Sequence, residues 1–220
     1  MQSDKNNFIK LCIENKILRF GEFTLKSGRI SPYFFNAGLF NNGQLLAELA
    51  GYYAALIVEK LLPNLGGFML YGPAYKGIPL AAATAVQLSS QYAIKVDYAF
   101  NRKETKDHGE GGKIVGAPLH GNVLIIDDVI TAGTSVRESI DIIKSEGATP
   151  AAVVIALDRQ EVTEHQSRSA VQSVEHNYKL PVHAIIMLED LIDHLQQDSV
   201  NQNYAEAVIN YRNLYGSESD

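Results

Sequence analysis

Cys12 is the only cysteine among the 220 residues of the chain. A lone thiol excludes an internal disulfide framework and a cysteine-based zinc site. Its neighbours Phe8, Leu11 and Ile13 mark it instead as buried filler of a short helix. Excess positive charge is also lacking. The formal net charge of −6 argues against a general nucleic-acid binder, so a polyanionic ligand has to be met by a local basic cluster. The opening residues, Met-Gln-Ser-Asp-Lys-Asn-Asn, lack the apolar run of a signal peptide. No segment has the roughly 20 apolar residues that span a membrane. The expectation is a cytoplasmic protein with no membrane partner. His120, His165, His176, His183 and His194 show no metal-ligand spacing and are expected at the surface or in loops.

What remains is ordinary in composition: 46% hydrophobic and 20% charged, enough apolar material for one generous domain over residues 1–220. Within it, Val123-Leu-Ile-Ile-Asp-Asp-Val-Ile-Thr-Ala-Gly-Thr-Ser135 is the most informative stretch. Four uninterrupted apolar residues read as a strand buried on both faces. Two carboxylates, Asp127 and Asp128, end it. A turn of small residues follows, then a helix with Val136, Ile140 and Ile143 on its apolar face. Ser135 and Glu138 have capping-box spacing, which puts the helix start near Ser135. Backbone N–H groups of 131–135, aided by the positive end of the helix, can face a phosphate. Ionised carboxylates are instead acceptors for sugar hydroxyls. Strand-end aspartate pairs also occur in phosphoacceptor receiver domains, so the pair alone does not define the chemistry.

Strands and helices alternate around this stretch. Strands are expected at Phe68–Tyr71, Val96–Phe100, Ala151–Leu157 and Val182–Met187, and helices over 44–62, Gly77–Leu88 and 167–177, with two more after Leu188. This pattern predicts an α/β fold, a mostly parallel sheet flanked by helices on both faces. Ligands of such sheets bind at the carboxyl ends of the strands. Three further segments lie there. Tyr71-Gly-Pro-Ala-Tyr-Lys-Gly77 brings glycines and Lys76, without the spacing of a P-loop. Residues 101 to about 120 read as a long polar loop in which Arg102, Lys103, Lys106 and His108 concentrate positive charge; loops of that length are usually functional or disordered. Leu157-Asp-Arg-Gln160 ends the next strand, and Arg159 has either a surface ion pair or a two-pronged carboxylate contact open to it. Far upstream, two strands over 22–36 flank the turn Lys26-Ser-Gly-Arg29. Tyr33-Phe34-Phe35 cannot all face one side of a strand, so at least one ring is available to cover a planar ligand.

Taken together, these motifs are similar to those of the type I phosphoribosyltransferases, which bind phosphoribosyl pyrophosphate (PRPP). The 123–135 run resembles their ribose-5-phosphate signature. Arg-Lys-x-x-Lys-x-His-Gly-x-Gly-Gly over 102–112 resembles the mobile catalytic loop of the orotate phosphoribosyltransferases. The resemblance implies a small N-terminal hood from about residues 1–40 over an α/β core of about 65–190. It implies transfer of a ribosyl phosphate from PRPP to orotate, with magnesium held mainly through the substrate and no dedicated protein metal site. PRPP would be bound by Lys26, Tyr75, Lys76, Arg102, Lys103, Lys106 and His108, and by Asp127, Asp128, Val129, Ile130, Thr131, Ala132, Gly133, Thr134 and Ser135. Lys103, Lys106, His108, Asp127 and Asp128 would be the catalytic residues. Orotate would meet Lys26, Phe34, Phe35, Thr131 and Arg159. The resemblance further implies a homodimer whose loops reach the neighbouring subunit's site. Two alternatives are a phosphoribosyltransferase for another nucleobase and a non-catalytic PRPP-binding regulator; the latter should carry a DNA-binding helix pair and a basic surface, neither of which is evident.

Overall fold

The computed structural model describes residues 2–25, 27–106, 112–162 and 167–217. Helix α1 (Gln2–Glu14) leads into an antiparallel hairpin of β1 (Leu18–Thr24) and β2 (Ile30–Phe35), a two-stranded sheet of its own. Helix α2 (Gly43–Leu56) follows, capped by the Asn42 side chain on the Leu45 N–H at 3.0 Å. It ends in one wider π turn over Ile57–Leu61 and a short 3-10 turn carrying Pro63.

The main sheet has six strands in the order β5-β4-β3-β6-β7-β8. Its members are β3 (Phe68–Gly72), β4 (Tyr98–Lys106), β5 (Gly112–Gly116), β6 (Asn122–Ile126), β7 (Thr149–Asp158) and β8 (Val182–Met187). All neighbours pair parallel except β4 and β5. The crossovers are α3 (Gly77–Tyr92), α4 (Thr134–Ser145) and α5 (Ala170–Tyr178); α6 (Leu188–Gln197) and α7 (Ala205–Tyr215) close the chain. The mostly parallel, helix-flanked sheet expected from the alternation is the fold observed.

Strand alternation divides the core into two layers. On one face Leu70, Leu124, Ile126, Val154 and Ala156 pack under α1, α2, α3 and α6. On the other Met69, Tyr71, Val123, Ile125, Val153 and Ile155 pack under α4 and α5. Val123 to Ile126 are each fully buried, worth about 1.5–3 kcal/mol per side chain. That burial explains why β6 is the central, uninterrupted apolar strand and why its last residues are held firmly. Cys12 is buried in α1, as expected, and burial pushes its thiol pKa up.

Three expectations need correction. Residues 101–120 are not one long loop: β4 runs to Lys106 and returns as β5, with Phe100 opposite Val115 and Asn101 opposite Ile114. Strand β5 is the edge of the sheet, and beyond Phe100 no pairing of β4 with β3 continues, so polar side chains are tolerated on both and the composition reads as loop. Helix α4 has Gly133 at its N-cap, in the left-handed region at φ +70°, and no side-chain cap. The capping box is found at α5 instead, between Ser169 and Gln172. His194 is buried in α6 rather than exposed, with Nδ1 3.3 Å from Asn6 Oδ1, and burial lowers its pKa; His183 is half-buried. His165 lies outside the described residues.

Candidate active site at the carboxyl ends of the strands

The ends of β3, β4 and β6 meet at one rim of the sheet. Asp127 continues β6, its N–H donating to Val154 O at 3.1 Å. The Asp128 carbonyl accepts from Ala156 N at 2.9 Å. The buried Tyr53 hydroxyl, from α2, donates to the Asp127 carbonyl at 2.6 Å. Strand β7 and helix α2 therefore hold the backbone under the acid pair.

The carboxylates above it have unequal surroundings. Asp127 Oδ1 accepts from the Asp128 N–H at 2.9 Å, and Asp127 Oδ2 from the Ser135 hydroxyl at 3.1 Å. Ser135 thus serves the acid rather than capping α4. Asp128 Oδ2 sits 2.6 Å from Lys76 Nζ. Both acids are buried, at 8% and 6% exposure, whereas the Lys76 side chain is 60% exposed. Burial first, and the neighbouring Asp128 charge second, push the Asp127 carboxyl up to about 7. A carboxyl poised there is protonated about half the time at neutral pH.

Between the acids and α4 runs the turn 129–133. Thr131, Ala132 and Thr134 are exposed. Among the described residues no hydrogen bond takes up the backbone N–H of Thr131, Ala132 or Gly133. These donors lie immediately before a helix N-terminus, an arrangement that can receive a phosphate. Val129 and Ile130 instead pack into the core, so their part in a ligand site is through backbone.

Opposite this turn stands the β3–α3 loop. Gly72 and Gly77 cross so closely that a Cβ on Gly77 would lie 2.5 Å from Pro73 Cδ and 2.8 Å from the Ile126 carbonyl. Glycine is required here because loop and strand end touch backbone to backbone. That contact puts Lys76 over Asp128. The Ala74 N–H donates to Asn101 Oδ1 at 2.9 Å, tying the loop to β4. From β4, Lys103 Nζ lies 5.0 Å from the centre of the exposed Tyr75 ring. Lys76, Tyr75, Lys103, Asp127, Asp128 and 131–135 thus gather at one rim, and Arg102 lies on the same strand as Lys103. Lys26 and His108 lie outside the described residues, as does the Lys106 side chain.

The residues expected at the base form a separate group. Arg159, just past β7, is mostly buried, its side chain 17% exposed. Its Nε and Nη2 donate to Glu161 Oε1 at 2.9 and 2.6 Å, and its guanidinium sits 4.9 Å from the Tyr33 ring centre. Ser31 and Tyr33, buried on one face of β2, are its neighbours from the hairpin. Phe35 shares that face and packs on the core, while Phe34 turns to the other, stacked on Phe23 at 5.5 Å with Arg19 beside it. Alternation therefore separates the two rings expected to bound one ligand.

Sequence reading missed Tyr53, Ser31 and Glu161. Tyr53 gave no signal beyond its helix face. Glu161 had one, an opposite charge two residues beyond Arg159. Among the described residues no group of three or more histidine, cysteine, aspartate or glutamate side chains could hold a metal.

A parallel sheet with an acid pair and a small-residue turn at its carboxyl rim, faced by a lysine-bearing glycine loop, defines a phosphoribosyltransferase. The phosphoribosyl transferase domain family matches residues 40–186. An orotate phosphoribosyltransferase of Marinobacter nauticus is 56% identical over 216 residues, 98% of this chain and 100% of the relative. That of Hahella chejuensis is 54% identical, with both chains fully covered. The crystal structure of a Francisella tularensis orotate phosphoribosyltransferase superposes with a TM-score of 0.86 at 44% identity, covering 96% of this chain and 100% of the other. This chain belongs to the orotate phosphoribosyltransferases, which are pentosyltransferases.

Proposed function

We propose that this chain transfers the 5-phosphoribosyl group of PRPP to N1 of orotate, giving orotidine 5′-monophosphate and pyrophosphate. The observation that supports this most is the 2.6 Å approach of Lys76 to Asp128, which sets a cation for the leaving group beside an acid for the sugar. The 5′-phosphate sits on the open N–H groups of 131–135. Asp127 and Asp128 accept from the ribose hydroxyls and favour positive character on the ring as the bond from C1 to pyrophosphate breaks. Lys76, with Arg102, Lys103, Lys106 and His108, takes the pyrophosphate. Orotate N1 supplies the electron pair of the new C1–N bond.

Magnesium fits this donor set: hard carboxylate oxygens stand near a substrate rich in oxygen, without a protein cage. Held mainly through the substrate's own oxygens, with Asp127 and Asp128 as the nearby protein carboxylates, it would offset the negative charge of the phosphates. Arg159, with Lys26, Thr131 and one ring of the Phe34–Phe35 pair, selects the base, and the arginine meets the orotate carboxylate. Closure of the segment around 103–113 excludes water that would otherwise hydrolyse the activated sugar. We place the chain as a homodimer of single-domain subunits, 1–40 forming the hood and 65–190 the core, with each basic segment entering the partner's site. Among the described residues no helix is long and apolar enough to cross a membrane, in keeping with a cytoplasmic enzyme.

The test is the ultraviolet change on mixing protein, magnesium and PRPP with a panel of bases. A change with orotate and not with uracil, adenine or hypoxanthine is expected; equal turnover of another base would reassign the specificity.

A further inference from the structure

An arginine that recognises a carboxylate has to be aimed, and the structure shows what aims this one. Glu161 Oε1 occupies one edge of the Arg159 guanidinium, receiving both Nε and Nη2. The same oxygen accepts from the fully buried Tyr33 hydroxyl at 3.1 Å, and the Tyr33 ring covers one face of the guanidinium. On the opposite edge Nη2 makes only a long 3.5 Å contact to Ser31 Oγ, and among the described residues no hydrogen bond engages Nη1, so a carboxylate that displaces Ser31 can make a two-pronged contact there. Glu161 is in turn held by the end of the chain. Gly216 bridges Glu161, the Val162 N–H donates to Tyr215 O at 2.8 Å, and the Ser217 N–H donates to Gln160 O at 2.8 Å. From the hairpin, Arg29 donates to the Val162 carbonyl at 2.9 Å and lies 4.7 Å from the Tyr215 ring centre.

We propose that Glu161 is a positioning residue for base recognition, and that segment 215–217 locks the Arg159–Glu161 pair between α7 and the hairpin. The proposal rests on the reading that Arg159 meets the orotate carboxylate. The tail thereby acquires a functional task that its sequence does not advertise. Glu161 does not touch the base; it fixes which edge of Arg159 the base encounters.

Full-length Glu161→Gln, Arg159→Gln and the double variant, together with a chain ending at Asn213, are compared for KM of orotate, KM of PRPP, kcat and orotate-over-uracil selectivity. Glu161→Gln should raise the orotate KM about fivefold or more, as expected for losing a charge-assisted contact. The PRPP KM and kcat should stay within about twofold, and selectivity for orotate should fall. In the Arg159→Gln background Glu161→Gln should add nothing. The shortened chain, which keeps both residues, should show the same selective rise. An orotate KM that is unchanged or lower in Glu161→Gln, while Arg159→Gln raises it, overturns the positioning role alone. Equal rises in both KM values, in either the Gln variant or the shortened chain, make the contacts merely structural and overturn it too. An Arg159→Gln variant with unchanged orotate KM overturns the reading beneath it.

Discussion

Lys76 Nζ and Asp128 Oδ2 meet at 2.6 Å across the gap between the β3–α3 loop and the end of β6. In the proposed reaction the two side chains serve opposite halves of one substrate, the lysine the leaving pyrophosphate and the aspartate the ribose. They neutralise each other, and on the proposed reading PRPP inserts between them. Lys76→Ala should weaken PRPP binding about tenfold or more, the scale of a charged hydrogen bond, and leave orotate binding much less affected. Calorimetric titration of each substrate checks this.

The proposed role of Asp127 predicts a pH dependence. With its carboxyl near 7, the ionised acceptor is gained as pH rises through neutrality, so kcat/KM for PRPP should climb between about pH 6 and 8. Asp128→Asn removes the second cause of the shift and should move this limb to lower pH. A pH–rate profile for each protein reads it directly.

Stability should follow the opposite sign. The folded pKa lies above the ordinary 3.8, so the native state binds the extra proton and loses stability as pH rises from about 4 to about 7. Asp127→Asn removes that cost. It should melt higher than the parent at pH 8, by on the order of 1 kcal/mol, match it near pH 3.5, and be inactive. Thermal melts at the two pH values test this.

Gly77 has no room for a methyl group, with Pro73 Cδ and the Ile126 carbonyl in its way. Gly77→Ala should destabilise by about 1–3 kcal/mol and displace Lys76, lowering activity further than stability alone requires. Gly43→Ala at the start of α2, where nothing lies within 4 Å of the added carbon, is the matched control and should be neutral or slightly stabilising.

A shared site has its own signature. Lys106→Ala and Asp127→Asn subunits, each inactive alone, should recover activity when mixed and re-formed, because one of the two sites in a mixed dimer combines the intact halves. Re-formed mixed dimers as inactive as their parents would place both residues in one subunit's site.

The parts legible in the sequence share a property: they are local and regular. The apolar run 123–126, the acid pair and the turn after it fall within thirteen residues, and the strand–helix alternation announces the sheet. What was not legible depends on contacts far apart in the chain. Tyr53 and Asp127 are 74 residues apart and Ser31 and Arg159 128 apart, and no spacing rule connects them. Ser135 fitted a capping box locally, but tertiary packing gave its hydroxyl to Asp127. The β4–β5 edge was hidden for a different reason, because polar edge strands and loops share a composition. The opposite facing of Phe34 and Phe35 was legible from alternation alone; the burial that decides which face meets the core was not.

Phosphorus NMR of a mixture of protein, PRPP, magnesium and orotate shows whether this chain joins PRPP to orotate. Loss of PRPP with equal appearance of pyrophosphate and the orotidine 5′-phosphate ester, and no loss without orotate, is the predicted result. Persistence of PRPP, as for a protein that only binds it, or its conversion to ribose 5-phosphate, would contradict the account.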